Sequence, residues 1–202
     1  MWYNLINMKS SVIPNIYFKE EMNMYYSANY DSPLGQITLA SDGEHLVGVW
    51  IEGQKYFCGS VKEELVPKDG LPEFEAAKDW LNQYFAGEKP QIDELPLAPI
   101  GGEFRQEVWK LLCEIPYGEV TTYGEIARKA AEKLGKQKMS AQAVGGAVGH
   151  NPISIIIPCH RVVGANGSLT GYGGGIQKKV WLLTHEGADM RKFTVPTKGT
   201  AL

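Results

Sequence analysis

The chain has 202 residues, 44% of them hydrophobic and 21% charged, which suits one or two packed domains. Its three cysteines (Cys58, Cys113, Cys159) are an odd number without metal-like spacing, which argues against a disulfide framework and for a reducing compartment. The longest apolar run, Ile153 to Pro158, is far too short to cross a membrane, and Met1 to Asn23 lack the regions of a signal peptide, so a cytoplasmic protein with no membrane partner is expected.

The net charge of −3 is unevenly spread: residues 1–98 carry a balance of −8 and residues 99–202 a balance of +5. Such a split suggests two domains, the basic one facing a polyanion. Two ordinary domains with uneven surfaces would produce it equally well.

Residues 1–23 have no clear period and read as an N-terminal extension. Within 24–98, Gln36–Ala40 alternates polar and apolar residues as a strand does. Asp42-Gly43 is a turn signal, and Leu46–Ile51 is the return strand of a hairpin. Phe74, Ala77, Leu81, Tyr84 and Phe85 follow helical spacing, predicting a helix over 72–87 that Gly87 ends. Pro90, Pro96 and Pro99 punctuate a linker to Gly101-Gly102, which separates an α/β domain (24–98) from a second one (99–187). His45 reads as a surface residue and Cys58 as inert.

The second half reads as mainly helical. Phe104, Val108, Leu111 and Leu112 mark one helix, with Cys113 on its last turn, and Pro116-Tyr117-Gly118 turns the chain. Thr122-x-x-Glu125 is a capping box that opens a helix running to about Gly135. Lys136 and Lys138 make the connection basic. Ser140 caps a third helix, Ala141 to about Gly149, stopped by Asn151-Pro152. That helix is built of small residues, and each interior glycine costs roughly 1 kcal/mol against alanine. Gly145-Gly146 therefore needs a reason: close helix packing, or close approach of a partner such as a nucleic-acid groove. Helix, turn and small helix resemble a helix-turn-helix. A turn at Gly164–Gly167 and a glycine-rich loop, Thr170–Gly175, lead to a last helix, Ile176–Glu186, stopped by Gly187. No Walker pattern is present, so the loop is expected to line a pocket. Residues 188–202 read as a polar tail.

Between the third and last helices lies Ile155-Ile156-Ile157-Pro158-Cys159-His160-Arg161-Val162-Val163. An apolar run stops at a proline, and three reactive side chains follow, as expected of a site at the end of a strand. A thiolate is the nucleophilic form of cysteine, and its formation needs a base and a group to orient that base. Neighbours on a strand face opposite ways, so Cys159 and His160 need a turn or a bridging water to cooperate. Glu186 and Asn151 are placed to reach back to them. The alternatives are a buried, inert cysteine and a metal site with His150 and His185, whose spacing is not that of usual ligands.

Pro158-Cys159-His160-Arg161-Val162 matches the active-site motif of the O6-alkylguanine-DNA alkyltransferases (methylated-DNA–protein-cysteine methyltransferases). Thr122-Tyr123-Gly124, Ala143-Val144-Gly145, Asn151-Pro152, Gly171-Tyr172 and Leu182 to Gly187 resemble the same family, in order. The resemblance is strong over 99–187 and loose over 24–98. It implies a ribonuclease H-like α/β N-terminal domain and a mainly α C-terminal domain with a winged-helix-like helix-turn-helix. It implies direct-reversal DNA repair, in which an alkyl group passes irreversibly from guanine O6 to the protein's own cysteine, once per molecule. The implied partner is double-stranded DNA containing O6-alkylguanine; a monomer with no cofactor and no metal is expected.

By the same resemblance, Cys159 accepts the alkyl group and His160 takes the thiol proton through a water. Glu186 orients His160, Asn151 braces the site, and Tyr123 bonds to the flipped base. Tyr172 walls the pocket, the carbonyls of Cys159 and Val162 read the guanine amino group, and the Gly173 N–H region faces O6. Gln142, Ala143, Gly145, Gly146 and Arg161 are placed at the DNA, Arg161 either contacting phosphate or holding the recognition helix. Gln142 stands where many members have an arginine that fills the gap left by the base. O6 lies inside a stacked duplex, so its base must be extruded, at a cost of a few kcal/mol. The competing reading is a non-catalytic binder of alkylated DNA, but such relatives lack the nucleophile that Cys159 supplies.

Overall fold

A computed structural model describes residues 24–196; the extension over 1–23 and positions 197–202 of the expected tail lie outside the described residues. Four strands, β1 (Tyr25–Ser32), β2 (Gly35–Ser41), β3 (Leu46–Ile51) and β4 (Leu65–Pro67), form one sheet in the order β3-β2-β1-β4. The expected hairpin is β2–β3, antiparallel with Leu39 opposite Val49. Its turn is held by Asp42 Oδ1, which accepts from the backbone N–H of Glu44 (2.9 Å) and His45 (2.7 Å). The pattern of β1 is too polar to mark it as a strand, yet it pairs with β2 antiparallel and with β4 parallel.

Every residue of β3 is buried, because the sheet is covered on both faces. Helix α1 (Pro72–Phe85) begins with a proline whose missing N–H costs nothing at a helix start. Its Phe74, Ala77 and Leu81 pack with Ile37, Leu39, Val49 and Ile51. Ala40, Val47, Trp50 and Val61 form a smaller cluster. The Trp50 ring lies against Gly48, where a Cβ would stand 2.0 Å from it, so only glycine fits there.

The second half holds α2 (Glu103–Cys113), α3 (Tyr123–Lys133), α4 (Ala141–Gly149) and α5 (Ile176–His185). The capping box is formed: Thr122 Oγ1 accepts from the Glu125 N–H at 3.2 Å, and the Glu125 carboxylate accepts from the Thr122 N–H at 3.0 Å. Ser140 Oγ caps α4 by accepting from the Gln142 N–H at 3.1 Å. Trp109 on α2 donates its indole N–H to the Ala147 carbonyl at 2.9 Å, fixing α4 from behind. Gly101 packs against the same indole, where a Cβ would come within 2.5 Å. No helix among the described residues is long and apolar enough to cross a membrane.

Two expectations change. The run Ile153–Ile157 is not a strand that ends at Pro158. Only Ile153 bridges to Val49, and the rest is a buried series of turns in which Ile155 takes φ 72°. A β-branched residue rarely adopts that conformation, so its surroundings must hold it there. The stretch read as a polar tail is anchored at its start: the Thr194 N–H donates to the Gly167 carbonyl, and Met190 and Phe193 pack on Val163, Leu169 and Leu183. The two halves pack against each other through one continuous hydrophobic cluster, which runs from Ile37 and Leu39 through Trp109 and Val148 to Leu182.

Candidate active site

The turn at Ile153–Ile157 is shaped by Asn151, which is 4% exposed. Its Oδ1 accepts from the Ile153 N–H at 3.1 Å. Its Nδ2 lies 2.8 Å from the Ile157 carbonyl, 3.2 Å from the Ile153 carbonyl and 3.1 Å from Cys159 Sγ. One side chain thus braces the backbone before Pro158 and touches the sulfur. A 3-10 turn, Cys159–Arg161, follows, and β6 (Val162–Val163) then pairs parallel with β5 (Thr121–Thr122) at the start of α3. This turn allows Cys159, His160 and Arg161 to lie side by side in the interior instead of alternating across a strand.

His160 is fully buried, and its Nε2 lies 2.6 Å from Glu186 Oε1. A carboxylate can only accept, so Nε2 carries the proton and Nδ1 keeps the lone pair. Nδ1 has no protein partner among the described residues. Glu186 accepts four further hydrogen bonds: from Arg161 Nε (2.8 Å) and an Arg161 terminal nitrogen (3.0 Å), the Tyr84 hydroxyl (2.8 Å) and the Gly118 N–H (3.1 Å). Burial alone would raise its pKa, but the donated bonds and the positive charge of Arg161 hold the carboxyl far below the usual carboxylate range. Burial pushes the Cys159 thiol up, against the bond from Asn151 and the charge of Lys179, and pushes His160 down against the pull of Glu186. At rest the pair is therefore a thiol beside a neutral imidazole.

Tyr123 begins α3, and its hydroxyl donates to the Thr170 carbonyl at 3.1 Å. Burial and the nearby Cys159 push its phenol up. Tyr172 stands edge-on to His160 with ring centroids 6.4 Å apart, and its buried hydroxyl has no protein partner among the described residues. Gly173 accepts through its carbonyl from the Lys55 N–H at 2.8 Å, tying the glycine-rich loop to the N-terminal half. Val162 is fully buried, and its carbonyl accepts from Lys179 Nζ at 2.6 Å. The loop residue Gly171 lies against the Tyr123 hydroxyl, where a Cβ would come within 2.5 Å.

The candidate DNA face separates into two parts. Ala141, Gln142, Ala143 and Gly146 are exposed on α4, while Val144, Ala147 and Val148 point into the core. A Cβ at Gly146 would meet no atom within 4 Å, and one at Gly145 would make only ordinary contact with the Tyr123 ring at 3.9 Å. Packing within the protein does not require these glycines, which favours close approach from outside. Arg128, Lys136 and Lys138 line a groove of about 740 Å³ between α3 and α4. Arg161 does not belong to this face. It is 6% exposed, forked onto Glu186 and bonded to the Ile115 carbonyl at 2.6 Å, over the ring of Tyr117. The 3-10 turn directs it inward, so the expectation that it meets DNA is corrected.

Sequence reasoning missed two residues of the site. Tyr84 appeared only as part of the apolar face of α1. Lys179 lies in α5 at three and four residues before Leu182 and Leu183, so a lysine on the buried face of that helix was the available signal. It is fully buried and donates to the Val162 and Thr170 carbonyls, at 2.6 and 2.9 Å.

Two family models match: the DNA-binding domain of 6-O-methylguanine DNA methyltransferase over residues 103–188, and its ribonuclease-like domain over residues 24–99. A methylated-DNA–protein-cysteine methyltransferase of Haemophilus influenzae is 41% identical over 179 residues, covering 89% of this chain and 93% of its own. The enzyme of that name from Mycobacterium tuberculosis is 48% identical over 164 residues, covering 81% and 93%. The crystal structure of Mycobacterium tuberculosis OGT in complex with DNA matches with a TM-score of 0.68 at 45% identity, over 81% of this chain and 92% of that one.

Burial holds the Lys179 pKa down at about 8, far below that of the same residue in the unfolded chain. Above that value the native state loses a proton that the unfolded state keeps, so this residue's contribution to stability rises with pH. The stability difference between wild type and Lys179→Met, measured by urea unfolding, should move in favour of wild type between pH 7 and 9.5. A difference independent of pH would contradict this placement of Lys179.

Proposed function

The chain belongs to the 6-O-methylguanine DNA methyltransferase family, and on that premise we propose that Cys159 accepts the alkyl group of O6-alkylguanine in double-stranded DNA. The activity is direct reversal of DNA damage: a methyl group passes from DNA to a cysteine of the protein, once per molecule. The observation that carries the assignment of Cys159 is its setting. Its thiol is bonded by Asn151, and the next residue is an imidazole held by a buried carboxylate, its lone-pair nitrogen without a protein partner among the described residues.

In the proposed step, His160 Nδ1 takes the Cys159 thiol proton through a water, and Glu186 stabilises the imidazolium. The thiolate attacks the alkyl carbon; the S–C bond forms as the C–O6 bond breaks. Negative charge spreads over the departing guanine, which gains a proton at N3; the proton that His160 took from the thiol passes on through water to replace it, so guanine, a thioether, a neutral imidazole and a neutral phenol remain. Tyr123 is the proposed donor to that base. Its hydroxyl must exchange the Thr170 carbonyl for the base, so entry of the base removes one of the contacts that hold the glycine-rich loop, while Lys179 keeps its bond to the same carbonyl. Tyr172 forms a wall of the pocket, the Cys159 and Val162 carbonyls read the amino group, and the Gly173 N–H faces O6. A thioether is a poor leaving group, so the product is final.

Only 6% of Cys159 is exposed, so a stacked base is out of its reach. The base is proposed to be flipped, with the smooth surface of Ala143, Gly145 and Gly146 on α4 entering the groove. Gln142, exposed at the start of α4, fills the gap by hydrogen bonding and adds no charge. The protein acts as a monomer in this proposal.

Incubation with a duplex containing O6-methylguanine should add one methyl group to the intact mass, at Cys159, and Cys159→Ala should abolish the gain. Tight binding without a mass change would overturn the assignment in favour of a non-catalytic binder. Gln142→Arg should tighten binding and steepen its salt dependence by up to about one unit of slope, the increment for one neutralised phosphate. An unchanged affinity and slope would remove Gln142 from the interface.

A further inference from the structure

We propose that Tyr84, on α1 of the N-terminal half, is a positioning residue for alkyl transfer: its hydroxyl shares Glu186 Oε1 with His160 and sets how firmly that carboxylate holds the imidazole. The inference rests on the reading of Cys159 as acceptor and of His160 as its base. It gives the N-terminal half a part in the chemistry that is separate from its part in the core.

Tyr84 is fully buried, and both of its polar ends are spoken for. The hydroxyl donates to Glu186 Oε1 at 2.8 Å, and its backbone carbonyl lies 2.7 Å from His185 Nε2. One residue near the end of α1 therefore grips two consecutive residues at the end of α5. The ring is stacked on Trp80 with centroids 5.4 Å apart and meets Phe85 and Tyr117 edge-on, so the hydroxyl has a fixed direction. A phenylalanine would fill the same space without bringing a buried polar atom, which costs free energy unless it is bonded. Among the described residues, the only bond this hydroxyl makes is to the carboxylate that holds His160.

The competition on Oε1 gives that bond a chemical consequence. When His160 accepts the thiol proton, the imidazolium draws on the charge of Oε1. The phenol draws on the same oxygen and so restrains the basicity of His160 while holding the plane of the carboxylate. Other groups facing the pair are Arg161 and Cys159 on the turn, Tyr117 beside α2's end, and Tyr172 in the glycine-rich loop. Lys179 and His185 face it from α5. Among these, Arg161 also reaches Oε1 but carries a full charge and is fixed by both carboxylate oxygens. Beside His160 itself, Tyr84 is a neutral donor on that oxygen, and it comes from the other half of the chain.

The test uses the full chain, a duplex containing O6-methylguanine, and three forms of the protein: wild type, Tyr84→Phe, and a form with 3-fluorotyrosine replacing Tyr84. Single-turnover methyl transfer at saturating DNA is followed against pH, and DNA affinity by fluorescence anisotropy. Tyr84→Phe should move the acid limb of the rate profile upward by about half a pH unit, a roughly threefold loss of rate on that limb, with affinity kept within about twofold. The fluorinated ring, a stronger donor of the same shape, should move the limb the other way, and this arm stands even where Tyr84→Phe folds poorly. An acid limb that stays in place in the folded variants, with or without a lower rate, overturns the proposal and leaves Tyr84 a packing residue. A wild type that gains no methyl at Cys159 overturns the acceptor assignment and this inference with it.

Discussion

The buried carboxylate of Glu186 is the constraint to which the rest of the site answers. An ionised carboxylate removed from water without partners costs several kcal/mol, so its donors are a condition of folding as well as of chemistry. They converge from separate parts of the chain: Tyr84 from α1, Gly118 from the turn after α2, and His160 and Arg161 from the turn after Pro158. Gly118 takes φ +77°, and a Cβ there would stand 2.7 Å from the Glu186 carbonyl, so both conformation and space require glycine. Arg161 offsets the charge, which leaves His160 free to remain neutral until a proton arrives.

In the proposed mechanism this arrangement keeps the Cys159 nucleophile quiet at rest. The thiol is buried and protonated, and its neighbour is a neutral base whose acceptor nitrogen is aimed away from Glu186. The same loop that contributes Tyr172 is held by Tyr123 and Lys179 through the Thr170 carbonyl. In the proposed mechanism the base therefore competes with one of the contacts that hold this loop. For a protein that acts once, a sealed cysteine also limits loss to other electrophiles.

Much of the fold was legible because its signals are local. The Thr122–Glu125 capping box, the Ser140 cap, the Asp42-Gly43 turn and the glycines that end α1 and α5 all act within a few residues. Strand β1 was not legible: Tyr-Tyr-Ser-Ala-Asn-Tyr-Asp-Ser buries only Ala28 fully, so no alternation reaches the sequence. The apolar run at Ile155 read as a strand because its hydrophobicity reports burial and not backbone direction; the Asn151 amide and flanking prolines turn it instead. The motif around Cys159 pointed to the groups proposed to react, but the inward course of Arg161 depends on a 3-10 turn that no spacing announces. Tyr84 and Glu186 lie 102 positions apart, and a tyrosine on an apolar helix face carries no mark of a distant carboxylate. The α4 glycines were legible as an anomaly; that packing within the protein does not require Gly146 became visible only from the empty space around it.

In the proposed mechanism Glu186 acts through His160 and not through DNA binding. The decisive measurement is the single-turnover rate of methyl transfer by Glu186→Gln at saturating O6-methylguanine duplex, alongside its affinity for that duplex. Glutamine keeps the shape but donates where the carboxylate accepted, leaving His160 in the wrong tautomer and without charge support. A fall in rate on the order of a hundredfold or more is expected, by analogy with the loss of the carboxylate partner of a catalytic histidine, with affinity little changed. A near-normal rate, or a loss that appears only in affinity, would contradict it.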